Sequence, residues 1–409
     1  MARICLIRQG VVPLDARVTR EVGALIAAGH EVDLICQRWA DQPRRERLGR
    51  LTAYRLPISR KRGGALRSLA EYAAFLAAAA LVAGALHLRR RYDVVQVNSM
   101  PDCLVFAAIV PRLLGARVVL DLHECMPEFF ATKFKVGMGH PLVRLLIALE
   151  RASIGFADSV LTCTEQMRER FIERGAPGGK IAVILNAANE EVFDPQRYPA
   201  RHEDGRFVLV CHGSIDDNYS PDVVIRAIAL IADRIPGLRL LVYGDGPRRA
   251  ATEALSRELG LRDRVWFSGG WAPMDDLVRA IAEADAGIVA STRDVFRDLT
   301  HCNKMFDLIA MRKPVIATRT RAIEAYFGEG CFQMFESGDE RDLARAILDL
   351  YADPDLRRRL VGRASEVSEP YRWLHQRARY LDAVGQLASQ RRASVATAAA
   401  APATTAEEA

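Results

Sequence analysis

Residues 301–318, HCNKMFDLIAMRKPVIAT, set Asn303, Lys304 and Asp307 at the start of an apolar helix that runs through Lys313-Pro314 into a buried strand. A helix beginning near Asn303 presents unpaired amides with partial positive charge, a ready seat for a diphosphate. Lys304 adds a full charge, and Asp307, one turn on, is placed to accept hydrogen bonds from vicinal sugar hydroxyls. The same residues also fit a plainer role, with Asp307 offsetting the helix dipole and Lys304 lying in solvent.

Polar residues gather at other strand ends. VLVCHGS closes on His212-Gly213-Ser214, and LLVYGDGP on Gly244-Asp245-Gly246-Pro247. Glycine lets backbone approach a phosphate closely, and proline suits a first helical turn. Each turn reads equally well as a tight strand-to-helix connection. In LDLHECMPEFF, His123 and Glu124 follow a buried strand and Glu128 lies four residues further on. A histidine so placed orients a substrate hydroxyl, stabilises developing charge or serves as a structural hydrogen-bonder. No second histidine stands at metal-ligand spacing, so neither a metal nor another cofactor is expected. Neither G-x-G-x-x-G nor a Walker loop occurs, which leaves dinucleotide and ATPase chemistry unsupported.

These residues need elements to hold them, and the chain alternates strands with helices. RICLI, HEVDLIC, YDVVQVN, ARVVLDLHE, SVLTCT and KIAVILN read as strands, and the rhythm restarts with RFVLVCHGS, LRLLVYG, RVWFSGG, DAGIVAS and PVIAT. Such alternation builds right-handed units on a parallel sheet whose strand ends form the ligand side. The expected fold class is α/β, with two Rossmann-like, doubly wound parallel-sheet domains facing a central cleft. Residues 1–188 make the first domain, 189–205 a polar linker and 206–370 the second domain. Residues 371–390 make a last helix carrying Trp373, and 391–409 a low-complexity, disordered tail.

Half of the 409 residues are hydrophobic and 26% charged, the balance of a soluble globular chain. The net charge is +6, and the basic residues at 60–62 and 89–91 are short clusters, so nucleic acid is not an expected partner. The eight cysteines show no C-x-x-C pair and read as reduced thiols of a cytoplasmic chain. Arg3 and Arg8 flank a four-residue apolar run, so no secretory signal is expected there. Residues 72–86 are uncharged and shorter than the ~20 a spanning helix needs. They read as a packed helix or as one whose exposed face, helped by the basic residues of 60–91, rests on anionic lipid at the inner face of the cell membrane.

In this order, DARVTREVGALIAAGHEVDLI, DVVQVNSMPDCLVFAAIVPRLLGARVVLDLHECMPE, HGS, VYGDGP, VWFSGG, ADAGIVAS and NKMFDLIAMRKPVIAT resemble the GT-B fold retaining glycosyltransferases of the family-four group, from about residue 3 to 388. The resemblance implies a nucleotide sugar on the C-terminal half and an acceptor on the N-terminal half, with the last helix crossing back to the N-terminal domain. Asp307 stands where the family has the second glutamate of E-x7-E, which binds the donor ribose. Asn303 and Lys304 match a subgroup's residues before that carboxylate. Gly213 and Ser214 match the loop near the diphosphate, with Gly244 and Gly246 in the neighbouring donor-side turn. Phe267 and Ser268 lie in the segment that lines the nucleobase through backbone. His123 matches a histidine near the reacting centre, so His123 and Lys304 are the catalytic candidates, and Glu124 and Glu128 are expected on the acceptor side.

The sequence departs from the family at Leu299, which replaces the first glutamate, and at Asp307, which shortens the second. Arg312 stands in place of a common glycine, and Asn218-Tyr219 where an arginine or lysine usually holds the diphosphate. One charge-assisted hydrogen bond is worth about 1.5–3 kcal/mol, so a substitute cation is expected from Lys304, Arg293, Arg319 or Arg321. The implied activity is retaining transfer from a UDP- or GDP-sugar to a hydroxyl of a lipid-linked or small-molecule acceptor. A catalytically weak nucleotide-sugar-binding partner protein and a nucleotide-sugar epimerase are the rival readings.

Overall fold

The structure is a computed structural model describing residues 1–12, 15–58, 65–199 and 205–400. It divides into two compact units, one made of Met1–Leu185 with the chain from Arg377 on, the other of Asn186–Gln376.

In the first unit the strands are β1 (Arg3–Arg8), β2 (Glu31–Gln37), β3 (Arg45–Leu48), β4 (Leu51–Leu56), β5 (Val94–Asn98), β6 (Arg117–Leu122), β7 (Ser159–Thr162) and β8 (Ile181–Val183). They form one sheet in the order β3-β4-β2-β1-β5-β6-β7-β8, parallel except for the β3–β4 hairpin at one edge. Near-continuous apolar runs such as ICLI and VVLDL suit strands covered on both faces. Strand order reverses between β1 and β5, so the chain opens outward beyond their carboxyl ends, where an open sheet binds its ligands. Asn98 ends β5 and His123 follows β6 at that side.

Three features of this unit differ from the sequence reading. The β3–β4 hairpin had no apolar run to announce it, since Arg45, Arg47 and Glu46 face the edge. Residues 102–113 are a 3-10 segment, Asp102–Ala108, followed by the short helix Ile109–Leu113 rather than one helix. The long alanine-rich helix, Ala65–Arg90, buries a single stripe, Phe75, Ala79, Ala83 and His87, at four-residue spacing, and leaves Leu69, Ala73, Ala77, Leu81 and Leu88 exposed.

The second unit holds β9 (Phe207–His212), β10 (Leu238–Tyr243), β11 (Val265–Phe267), β12 (Ala286–Val289), β13 (Val315–Thr318) and β14 (Gln333–Phe335) in the order β11-β10-β9-β12-β13-β14, all parallel. One apolar cluster includes Leu209, Ile228 and Ile347, the other Val210, Ile281 and Leu308. The helix Asn303–Ala310 lies close on β12 because Gly287 has no side chain; a Cβ there would collide with the methyls of Leu308. It stops in two bonds, Arg312 N to Ile309 O (2.9 Å) and Lys313 N to Leu308 O (2.9 Å). Arg312, at φ 53°, takes the left-handed position that glycine usually fills at a helix end. The chain then turns directly into β13.

Of the segment expected as a linker, 189–205, residues 200–204 lie outside the described residues, and much of the remainder is part of this unit. Ala188 and Phe193 are buried in its core, residues 189–196 are pinned by local turns, and the boundary falls at Leu185–Asn186. The last helix, Trp373–Ala400, begins in the second unit and belongs to the first from Arg377 on, with Tyr380 and Val384 fully buried. Residues 391–400, expected to be disordered, continue that helix; 401–409 lie outside the described residues.

Candidate active site

In the second unit, the ends of β9 and β10 and the start of the helix Asn303–Ala310 converge. Asp307 is not a free carboxylate: its Oδ2 lies 3.2 Å from Nε2 of His212, the last residue of β9. Both side chains are largely buried, which fixes the carboxylate for a ligand. In the sequence His212 reads only as part of a turn, and its strand-end position is the signal for it.

Lys304, one turn earlier, folds over Gly213. A Cβ on Gly213 would collide with the lysine side chain, and φ of 101° favours glycine in any case. The glycine of HGS therefore makes room for the lysine. Nζ of Lys304 stands 3.2 Å from the centroid of the Tyr219 ring, and the Arg297 guanidinium lies 4.9 Å from the same centroid. Burial pulls the Lys304 ammonium down to about 8 and pushes the Tyr219 hydroxyl up to about 12, so the phenol stays neutral between two cations.

This arrangement bears on the missing cation. Arg293 is held by Asp298 at 3.0 Å, and Arg319 by Glu324 (2.6 Å) and Glu336 (2.9 Å). Arg297, absent from the sequence-based candidates, is the guanidinium that reaches the Tyr219–Lys304 pair. Asp294 sets it there by accepting the amides of Phe296 and Arg297, each at 2.8 Å. Only that aspartate, three residues ahead in the sequence, could have signalled a turn at Arg297.

The two glycine turns pack against each other. Gly213 N donates to Tyr243 O (2.8 Å) and Ile215 N to Asp245 O (2.9 Å). A Cβ on Gly244 or Gly246 would strike the carbonyls of Gly213 or Ile215, so backbone packing accounts for both glycines. Ser214 spends its hydroxyl on Asp216 (2.6 Å) and keeps its amide without a partner among the described residues. Ser268 Oγ accepts from Gly244 N (3.1 Å) and donates to Gly270 O (2.6 Å), and the Ser268 amide donates to Val242 O (3.0 Å), so the donor expectation at Phe267 and Ser268 meets side chain and amide already engaged in the sheet end. Asn303 Oδ1 is buried without a partner among the described residues, at the helix start. A cavity of about 620 Å³ in this unit is lined by Phe193, Ile309, Arg312, Tyr371 and Arg372 and touches none of the expected donor residues.

In the first unit, His123 is pinned at its backbone, its amide donating to Ser99 Oγ (3.1 Å) and its carbonyl accepting from Cys163 Sγ (3.6 Å). Its Nε2 lies 2.9 Å from Asp121 Oδ2. Asp121 is fully buried and held by both Nε and Nη2 of Arg17 at 3.0 Å. Burial alone would raise the Asp121 carboxyl, but Arg17 and His123 hold it well below the usual range. Glu124 is half-buried near Asp102, whose carboxyl is pushed well up by burial and by Glu150 and Glu124.

Glu128 is a correction. It is 1% exposed and bonded to Arg174 and, at 3.3 Å, to Arg170, while Arg174 also holds Glu150 at 2.7 Å. That carboxylate ties the helix Met126–Phe134 to Arg170 and Arg174 and has no surface left for an acceptor. Among the described residues no cluster of His, Cys, Asp and Glu has metal-binding geometry.

Two family models match the chain side by side: a glycosyl transferase 4-like domain over residues 14–187 and glycosyl transferases group 1 over residues 206–353. The lipopolysaccharide core biosynthesis glycosyltransferase LpsE of Rhizobium meliloti is 32% identical over 52% of this chain and 56% of its own length. The 2-deoxystreptamine glucosyltransferase of Streptomyces kanamyceticus is 29% identical over 60% of this chain and 65% of its own. The alignments thus span between about half and two thirds of these two relatives. Among solved structures, Anabaena HepE in complex with UDP and glucose shares the fold with a TM-score of 0.65 at 16% identity, over 97% of this chain and all of that one.

Proposed function

The chain belongs to the glycosyl transferases group 1 family, and from that premise we propose that it moves a sugar from a UDP- or GDP-sugar to an acceptor hydroxyl with retention at the anomeric carbon. The observation that carries this reading is the pairing of Asp307 with His212 beside Lys304, Tyr219 and Arg297. Asp307 binds the donor ribose. Lys304, Arg297 and the Ser214 amide take the diphosphate and stabilise it as it leaves, which is electrostatic catalysis needing no protein nucleophile. Negative charge from a bound diphosphate also favours the ammonium form of Lys304, against its burial. Incubation with UDP- and GDP-sugars and candidate acceptors, followed by NMR of the product's anomeric proton, tests both donor and stereochemistry. A product of inverted configuration would overturn the retaining reading.

The acceptor is proposed to be lipid-linked, at the cytoplasmic face of a membrane. The helix Ala65–Arg90 turns Leu69, Leu81 and Leu88 outward, and Leu113 and Leu114 are exposed at the end of the adjoining Ile109–Leu113 segment. Arg89, Arg91 and Arg112 border that apolar face with positive charge, which complements anionic headgroups. The helix has the length and composition to span a bilayer, but its Phe75–His87 stripe is fully buried in the unit, which favours docking along the surface. Arg60, Lys61 and Arg62 lie outside the described residues. Sedimentation with phosphatidylglycerol vesicles should pull the protein down, and Leu81→Glu with Leu113→Glu should release it. The small-molecule alternative predicts no vesicle binding.

A further inference from the structure

The first unit contains a buried polar network that the donor site does not use. Asn98 Nδ2 lies 2.9 Å from Glu21 Oε2, 2.9 Å from Asp121 Oδ2 and 3.3 Å from His123 Nε2. An amide nitrogen has two hydrogens, and the two carboxyl oxygens, of Glu21 and Asp121, are the nearer acceptors. Nothing is left to donate to the His123 ring. His123 Nε2 and Asp121 Oδ2, 2.9 Å apart, therefore need the hydrogen to be on the imidazole, because Arg17 keeps Asp121 ionised.

Further groups support the arrangement. Glu21 accepts from Gln96 Nε2 at 2.8 Å, and the Gln96 carbonyl accepts the Tyr380 hydroxyl at 2.8 Å, so the last helix closes the network. Arg17 also reaches the Ile184 carbonyl at 2.9 Å. Burial lowers the His123 imidazole despite Asp121, with Arg8 and Arg17 adding to the lowering, and Asp15 is the other carboxylate near it. A neutral ring with its hydrogen on Nε2 carries its lone pair on Nδ1. Nδ1 has no hydrogen-bond partner among the described residues.

We infer that Asp121 is a positioning residue that fixes His123 in the Nε2–H form, so that His123 Nδ1 accepts a hydrogen bond from a substrate hydroxyl and donates none to a phosphate. This rests on the transferase reading for its substrate, but the tautomer does not. The His123 ring then discriminates for a hydroxyl at its position and against an ether or a deoxy carbon, which leave Nδ1 unpaired.

The test is nitrogen-15 NMR of the histidine rings in the whole protein, with His123 assigned by loss of its signals in His123→Gln. The expected result near neutral pH is a protonated Nε2 and a bare Nδ1. The Nδ1–H form in the wild-type protein would overturn the inference whatever the enzyme's activity. Asp121→Asn removes the charge that holds Nε2–H and leaves one amide oxygen shared among Arg17 Nε, Asn98 and His123, so the preference for Nε2–H should weaken and the Nδ1–H form should appear. The substitution should also cut turnover by about 100-fold or more while UDP or GDP affinity changes less than about twofold. Unchanged turnover with a switched ring would overturn the positioning role. If Asp121→Asn does not fold, the wild-type spectrum still decides the tautomer. If no acceptor is glycosylated at all, the function proposed above falls, and the spectrum continues to judge the network.

Discussion

Lys304 is the residue whose chemistry depends most on its surroundings. Its folded value of about 8 lies below the ordinary lysine range, so the free protein holds fewer protons than the unfolded chain between about pH 8 and 10.5. Stability of the free protein should therefore gain from this group as pH rises through that window. A bound diphosphate should restore the proton. Calorimetric titration with UDP or GDP near pH 8.5, in two buffers of different ionisation enthalpy, should show proton uptake, absent in Lys304→Met. Equal heats in both buffers would contradict the burial argument. Arg297→Ala should weaken the same binding about tenfold or more, the loss of one charge-assisted contact. Lys304 and Asp307 were legible in the sequence because their spacing places them on one short helix. His212 and Arg297 were not, because His212 meets Asp307 across 95 residues and Arg297 reaches Tyr219 through a loop without periodicity.

At the level of elements, the helix Asn303–Ala310 is held by two backbone rules. Gly287 gives Leu308 its seat, and Arg312 closes the far end in a left-handed conformation that costs a side-chain residue roughly 1–2 kcal/mol. Arg312→Gly should raise stability by up to about 1 kcal/mol after the entropy of a freer unfolded chain is subtracted, read as a higher urea midpoint with unchanged slope. A lower midpoint would mean that the Arg312 side chain makes a contact worth more than the strain. Most strands were legible because buried parallel strands read as runs of Val, Ile and Leu. The β3–β4 hairpin was not, since its arginines serve a sheet edge. The 3-10 segment Asp102–Ala108 has the same apolar composition as a helix, and composition does not distinguish the two.

For the chain as a whole, the division into two α/β units was legible from the repeated strand–helix rhythm, and its boundaries were less so. Residues 189–205 look like a linker because they are polar and proline-bearing, yet Phe193 is buried in the second unit. The alanine-rich tail reads as low complexity, yet residues 391–400 continue a helix whose earlier turns bury Tyr380, and Arg391 itself bonds to Asp93 at 3.0 Å. Tyr380→Phe removes one buried bond and leaves the Gln96 carbonyl unsatisfied, at a cost of about 1–3 kcal/mol. Urea unfolding followed in the first unit should show that loss, and an unchanged midpoint would mean that the Tyr380–Gln96 bond does not help hold the last helix.

The central claim is that the helix opening with Asn303, Lys304 and Asp307 binds a nucleotide-sugar donor. Its most direct test is calorimetric titration of the full chain, in EDTA, with UDP, GDP and their sugars, alongside Asp307→Ala. The account predicts micromolar binding of one diphosphate class without metal, lost in the variant while its thermal unfolding stays cooperative. Folded wild-type protein that binds none of them, or an Asp307→Ala variant that binds as tightly as wild type, would contradict it.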